Sequence, residues 1–234
     1  NFYKSENGFW IHKDAARKLC GNALVAYKQH LVLTAVQDEI LIGTLLGDGY
    51  ITFPKNLVTT YHARFCQKLS AADYVDHLYQ TFKPFVGTPP RMRKIGGIKA
   101  GLPMRYDVRF RTYAHTEFKY YYDLFYPGQP GHVRPKRVPK NIGDLLTARS
   151  LAYWFMDDGT TKVGAAAKGY VFSTQGFCYA DQLILQKALK NTFGLHASIH
   201  KDKTYFKLAL KACSAQGFHG LIKPYMHPYF YYKL

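Results

Sequence analysis

Ile40-Leu41-Ile42-Gly43-Thr44-Leu45-Leu46-Gly47-Asp48-Gly49 and Leu151-Ala152-Tyr153-Trp154-Phe155-Met156-Asp157-Asp158-Gly159 are two apolar runs that each close on Asp-Gly. A helix-start pattern precedes each: Thr34-Ala35-Val36-Gln37 before the first and Thr147-Ala148-Arg149-Ser150 before the second. In both, an N-cap hydroxyl opens an apolar helix and Asp-Gly closes it. Asp48 and Asp158 stand 110 residues apart, so an internal repeat is the first thing to test.

The repeat continues downstream. Arg64-Phe65-Cys66-Gln67-Lys68 reads as a strand end, and Phe172-Ser173-Thr174-Gln175-Gly176 matches it at an offset of 108, Gln67 to Gln175. Tyr106, Val108 and Phe110 alternate with Asp107, Arg109 and Arg111; at an offset of 100, Phe206, Leu208 and Leu210 alternate with Lys207, Ala209 and Lys211. Such period-two alternation predicts half-buried antiparallel strands with the charged set on an open face. Ala71–Leu78 and Asp181–Leu189 read as helices, Arg91–Ile95 and Ala197–His200 as strands, and Phe118 and Phe218 fall at matching places in a last helix. Each half thus reads helix, two strands, helix, two strands, helix. The domain reading is an N-terminal extension over 1–33, helical from Asp14 to His30; a first repeat over 34–126; a Pro- and Gly-punctuated linker over 127–146; and a second repeat over 147–234.

The 234 residues suffice for one large domain or two small ones with a real core. Lys and Arg number 32 against 15 Asp and Glu, a formal charge of +17, and the 47% hydrophobic content argues against a disordered basic tail. A folded, cationic, Tyr-rich chain points to a polyanionic partner, the alternatives being a solvated basic surface or a ribosome-type packing protein. No stretch approaches a transmembrane helix. The start carries no signal-peptide pattern, and the absence of Met suggests that it is trimmed. Cys20, Cys66, Cys178 and Cys213 lack CxxC spacing and fit free thiols in a reducing compartment. The ten histidines form no HxxxH or HExxH arrangement, so no metal is assigned to them.

A carboxylate at a helix C-terminus opposes the macrodipole. Here that occurs twice, at Asp48 and Asp158, and a local rule broken in both repeats suggests a site. If the two helices pair, both carboxylates arrive together at one edge of the interface. Adjacent acids in a basic protein suit a hard divalent cation with oxygen ligands, Mg2+ rather than Zn2+. Gly43 and Gly47 would allow close backbone approach along such a seam. The alternative is an apolar helix pair with capping acids.

The two nonamers, Leu41–Gly49 and Leu151–Gly159, resemble the signature motifs of the LAGLIDADG homing endonucleases, in particular the single-chain, intron-encoded, yeast mitochondrial type. The resemblance covers residue 34 to the end. It implies an α+β fold of pseudo-twofold tandem αββαββα repeats, two antiparallel sheet saddles and two central signature helices. It implies metal-binding acids at Asp48 and Asp158, joined by the backbone carbonyls of Gly47 and Asp157. It departs from symmetry where Tyr153 stands opposite Gly43 and Asp157 opposite Gly47. It implies water-ordering glutamines at Gln67 and Gln175, and catalytic lysines at Lys136, in Lys136-Arg137-Val138-Pro139, and Lys233, in Tyr232-Lys233-Leu234.

Phosphodiester hydrolysis needs a metal-activated water in line with the leaving 3′ oxygen and cations to stabilise the charge that develops there. With the resemblance this implies a monomeric, Mg2+-dependent endonuclease that cuts both strands of a long duplex site and leaves 3′ overhangs. The resemblance further implies two or more divalent ions, with Mn2+ or Ca2+ able to substitute in binding, and a mitochondrial or chloroplast location. DNA recognition is expected from Arg105, Asp107, Arg109 and Arg111 on one strand and Lys207 and Lys211 on its counterpart, with Arg64, Lys68, Arg91, Arg93 and Lys201 on or beside neighbouring strands. Asp107 would accept from cytosine N4 or, the favoured reading, orient Arg105 and Arg109. The runs Tyr120-Tyr121-Tyr122 and Tyr229-Phe230-Tyr231-Tyr232 are read as packing rather than base stacking. Two alternatives stand beside the nuclease: an intron maturase that holds group I RNA on the same fold, and a basic RNA-structural protein.

Overall fold

Both helix starts form as capping boxes. The Thr34 amide donates to Gln37 Oε1 at 2.9 Å and the Gln37 amide to Thr34 Oγ1 at 3.3 Å; Thr147 and Ser150 make the same reciprocal pair at 2.7 and 3.2 Å. The computed structural model describes residues 2–4, 10–14, 16, 19–52, 61–95, 104–128, 135–163 and 168–234. Their order is β1 (Phe2–Lys4), β2 (Trp10–His12), α1 (Gly21–Gln29), α2 (Ala35–Leu46), β3 (Tyr50–Thr52), β4 (His62–Lys68), α3 (Ala72–Phe82), β5 (Arg91–Ile95), β6 (Arg105–Arg111) and α4 (Glu117–Phe125), then α5 (Ile142–Leu145), α6 (Ala148–Asp158), β7 (Gly159–Val163), β8 (Lys168–Phe172), α7 (Tyr179–Phe193), β9 (Ala197–Asp202), β10 (Tyr205–Leu210) and α8 (Ala215–Ile222). From α2 to α4 and again from α6 to α8 this is αββαββα, an α+β fold with two antiparallel sheets.

The extension differs from expectation. Its helix begins at Gly21 rather than near Asp14, and a hairpin, β1–β2, precedes it. The expected linker contains the short helix α5, while its residues 129–134 lie outside the described residues.

Two compact units emerge: Asn1–Gln37 with Asp48–Lys119, and Asp38–Gly47 with Tyr120–Leu234. In the first, the sheet runs β1-β2-β5-β6-β4-β3, and α3 packs on one face, where Phe65 stacks between Phe82 and Phe110 at ring separations of 5.0 and 4.9 Å. In the second, the sheet runs β7-β8-β10-β9; Phe172 lies 4.1 Å from the Trp154 ring and 5.5 Å from that of Phe155, which meets Phe218 at 5.1 Å. These rings are wholly buried or nearly so, and each contributes about 2–3 kcal/mol of apolar burial.

Strand register gives the true correspondence of the halves. Tyr50, two residues after Asp48, pairs with Arg64; Thr160, two after Asp158, pairs with Val171. Phe65 pairs with Phe110, and Phe172 with Leu208. Phe110 therefore corresponds to Leu208 and Arg109 to Lys207, two residues short of the spacing read from the sequence. The parity is unchanged, so the faces stand as expected.

Candidate functional site

Helices α2 and α6 meet through positions that are equivalent in the repeat. Arg149 Nη1 donates to Glu39 Oε2 at 2.6 Å. One turn on, a Cβ on Gly43 would collide with the Ser150 carbonyl and lie 2.8 Å from Tyr153 Cβ. One turn further, a Cβ on Gly47 would lie 2.8 Å from Asp157 Oδ2. Glu39 and Arg149, Gly43 and Tyr153, and Gly47 and Asp157 are each 110 residues apart, so the seam is an isologous contact of one repeat on the other. At two of its three levels a glycine makes room for the larger partner. Burial in this seam pushes the Tyr153 hydroxyl pKa well above its ordinary value.

The residue after Gly47 is Asp48, and the residue after Asp157 is Asp158. Asp48 accepts a hydrogen bond from Gln67 Nε2 at 2.7 Å, and Gln67 sits near the end of β4. Asp158 ends α6, and its carbonyl accepts from the Ser173 amide at 2.9 Å. Gly159 does not cap α6 in a left-handed conformation: its φ is −78°, and its missing side chain instead leaves room for the Phe155 ring.

Both lysines reach carbonyls at the ends of the signature helices. Lys136 Nζ donates to the Gly47 carbonyl at 2.6 Å. Lys233 Nζ donates to the Met156 carbonyl at 2.7 Å. An ammonium there complements the negative end of the helix dipole. Asp157, Asp158 and Lys233 share the wall of a hollow of about 350 Å³ with Gly159, Thr160, Thr161, Ser173 and Tyr232.

Gln175 is not the counterpart of Gln67. Counting three residues on from Arg64 reaches Gln67, and three on from Val171 reaches Thr174. Thr174 is 1% exposed and donates to Gln182 Oε1 at 2.7 Å. Gln175 lies in the turn beyond and donates to Asp202 at 3.2 Å. Among the described residues no group of three or more His, Cys, Asp or Glu is placed to hold a metal.

One face of the first sheet gathers the predicted recognition residues. Paired residues of antiparallel strands share a face, and the pairs Arg64–Arg111, Arg91–Arg109, Lys68–Asp107 and Arg93–Asp107 put all of these on one side, with Arg105 two residues from Asp107 along β6. Arg64, Arg91, Arg93, Arg109 and Arg111 line a hollow of about 450 Å³ there. Asp107 is 5% exposed and accepts from Arg93 at 3.0 Å and from Arg109 at 3.2 Å, so it orients Arg93 rather than Arg105 beside Arg109. Burial and the nearby Asp107 carboxylate push the Cys66 thiol up to about 11.

In the second sheet Lys207 lies on the open side, 3.2 Å from Asp202, and Lys211 follows the end of β10. Lys201 falls on the other side: it pairs with Phe206, whose ring packs against Tyr179 on α7. His200, paired with Lys207, takes the open position instead.

A sequence profile of the LAGLIDADG DNA endonuclease family matches residues 38–218. The chain belongs to this family. It is 30% identical to "Probable intron-encoded endonuclease 1" of Wickerhamomyces canadensis over 210 residues, 88% of this chain and 87% of that one. It is 29% identical to "Cytochrome b mRNA maturase bI2" of Saccharomyces cerevisiae, matching 84% of this chain and 46% of that one. Among solved structures, "The homing endonuclease I-WcaI bound to its DNA recognition sequence" superposes with a TM-score of 0.81 at 29% identity, covering 92% of each chain.

Exposed residues outside the predicted set of this LAGLIDADG chain also line the Asp158 hollow. Ser173 is exposed and lines the Asp158 hollow, and register makes it the counterpart of Cys66. Tyr232, read as packing, is 67% exposed at the same hollow; Tyr120 and Tyr231 are exposed as well, whereas Tyr121, Tyr122 and Phe230 are buried.

Proposed function

We propose that this chain is a site-specific endonuclease that cuts both strands of a long DNA duplex and leaves 3′ overhangs. Asp48 and Asp158 would hold divalent cations, with the backbone carbonyls of Gly47 and Asp157 as further oxygen donors. What carries the reading is the seam of equivalent positions between two signature helices, each of which leads into an aspartate. The donor set fits Mg2+: carboxylate and carbonyl oxygens, with no thiolate or imidazole among them. A divalent cation so held supplies Lewis acidity to the scissile phosphate.

The chain's own groups do the rest. Gln67 holds one oxygen of Asp48 and so orients the carboxylate. Lys136 and Lys233, each lodged at a signature-helix carbonyl, place positive charge where the leaving oxygen develops negative charge. Gln175, engaged by Asp202, supports the second half through the loop before α7 and not at the carboxylate. The arginine face reads bases in the major groove, while Lys207, Lys211 and Lys68 hold phosphates. The protein acts as a monomer of two repeats, 34–126 and 147–234, in a mitochondrion or chloroplast.

The test is selection of cut duplexes from a randomised library in Mg2+. Recovery of one long consensus, absent with Asp48→Asn and with Asp158→Asn, supports the reading; an unenriched library sinks it. The match to a cytochrome b mRNA maturase favours a second reading, in which the same fold also assists splicing of its intron. Splicing rescue by a chain that cuts no DNA would decide for it.

A further inference from the structure

We propose that the hairpin β1–β2 is part of the DNA-reading surface and contacts the duplex beyond the reach of the four family strands. The inference rests on the endonuclease reading above. From the site outward, the first sheet runs β3-β4-β6-β5-β2-β1. It starts two residues after Asp48, and each step moves one strand further from that carboxylate, about 4.8 Å at a time. The hairpin is therefore the outermost part of the sheet, and it widens the sheet by about 10 Å.

Register decides which way the hairpin faces. Cys66 pairs with Arg109, Arg109 with Arg91, Arg91 with Ile11, and Ile11 with Tyr3. One rung thus crosses from the centre of the arginine face onto both strands of the hairpin. Ile11 lies on that face and is 42% exposed. The next residue, His12, turns to the other side and is 4% exposed. Its ring bonds Asp76 on α3 at 2.6 Å and meets the Tyr79 ring at 4.9 Å, while Asp14 pairs with Lys83 at 2.7 Å. The back of the hairpin is thereby fixed to α3, while Ile11 on its front stays exposed beside Arg91.

The occupant that suits this front is duplex DNA. Six arginines, at positions 64, 91, 93, 105, 109 and 111, lie on the same continuous face, and a polyanion already seated on them runs on past β5. An apolar side chain such as Ile11 can meet a thymine methyl in the major groove. A sheet wider by about 10 Å spans about 3 further base pairs at 3.4 Å each. Among the described residues the second unit's sheet has four strands, so the two half-sites should differ in length.

Hydroxyl-radical footprinting of the full chain, with Ca2+ in place of Mg2+, on the duplex obtained by cleavage selection tests this. Protection is expected to run about 3 base pairs further in one half-site than in the other. Ile11→Glu should erase that outer stretch alone, and Ile11→Lys should keep it; both variants leave the melting temperature close to that of the parent, because Ile11 is exposed. Footprints of equal reach, or an outer stretch indifferent to Ile11→Glu, would mean that the hairpin is only a brace, and would overturn the proposal. If no duplex is ever selected, the endonuclease reading fails and this one with it.

Discussion

The first sheet carries six arginines on one face, and the second carries none on any strand. Where the first has Arg109, backed by a buried Asp107, the second has Lys207, paired with a surface Asp202. Guanidinium forks held by a buried acid are rigid and can grip a guanine edge through two bonds; a lysine tethered to an exposed acid is a mobile point charge. The halves share a fold and a seam yet differ in how they would read DNA. On the proposed function the first would read base edges, and the second would hold phosphates and follow DNA shape.

Four experiments put that contrast to the test. The largest expected effect is chemical. With its pKa raised to about 11, Cys66 holds about 1 thiolate in 1,000 at pH 8, so iodoacetamide should label it about 100-fold more slowly than a thiol of ordinary acidity. The sign follows from burial and Asp107: both disfavour the anion, so labelling should still be rising tenfold per pH unit at pH 10. Peptide mapping against the exposed Cys213 of the second unit reads the difference, and equal labelling at pH 8 would refute it.

Next comes DNA binding. Arg109→Ala should cost about 1–3 kcal/mol and flatten base preference at one position, while the register-equivalent Lys207→Ala should weaken all sequences alike and lower the salt slope by about 1. Titrations of selected and scrambled duplexes at several salt concentrations separate the two. The third is folding stability. Gly43→Ala forces a methyl into the Ser150 carbonyl and should cost about 1–3 kcal/mol by urea unfolding; Gly169→Ala, whose new methyl would meet only the Lys162 carbonyl at 3.8 Å among the described residues, serves as the quiet control. The smallest is the loss of an orienting acid. Asp107→Asn should destabilise the fold by about 1 kcal/mol and loosen Arg93 and Arg109, whereas Asp202→Asn should leave the melting midpoint in place.

Legibility in the sequence followed the range of the forces involved. Asp48, Asp158 and the two glycines could be read because helix capping and the 3.6-residue period are local, and because the same pattern occurs twice. The faces of β4 and β6 could be read because alternation is local too. Gln175 was misplaced because strand pairing, not sequence spacing, sets equivalence. The segments that join β3 to β4 and β7 to β8 differ in length, and the offset of 110 at the aspartates has dropped to 107 one strand later. The hairpin β1–β2 went unseen because three-residue strands carry no periodic signal. What holds it is His12 on Asp76, 64 residues away. Lys201 points to the α7 side of its sheet and is exposed there all the same, because a basic residue near a strand end reaches solvent whichever way it points.

On the proposed function, Asp48 and Asp158 perform the cutting while the sheets do the holding. Strand-resolved cleavage of the selected duplex by the parent, Asp48→Asn, Asp158→Asn and the double variant, with affinity measured in parallel, tests it most directly. Each single substitution should lower double-strand cutting by at least about 100-fold, and all four proteins should bind within a few-fold of one another. A double variant that cuts both strands at the parent's rate would contradict it.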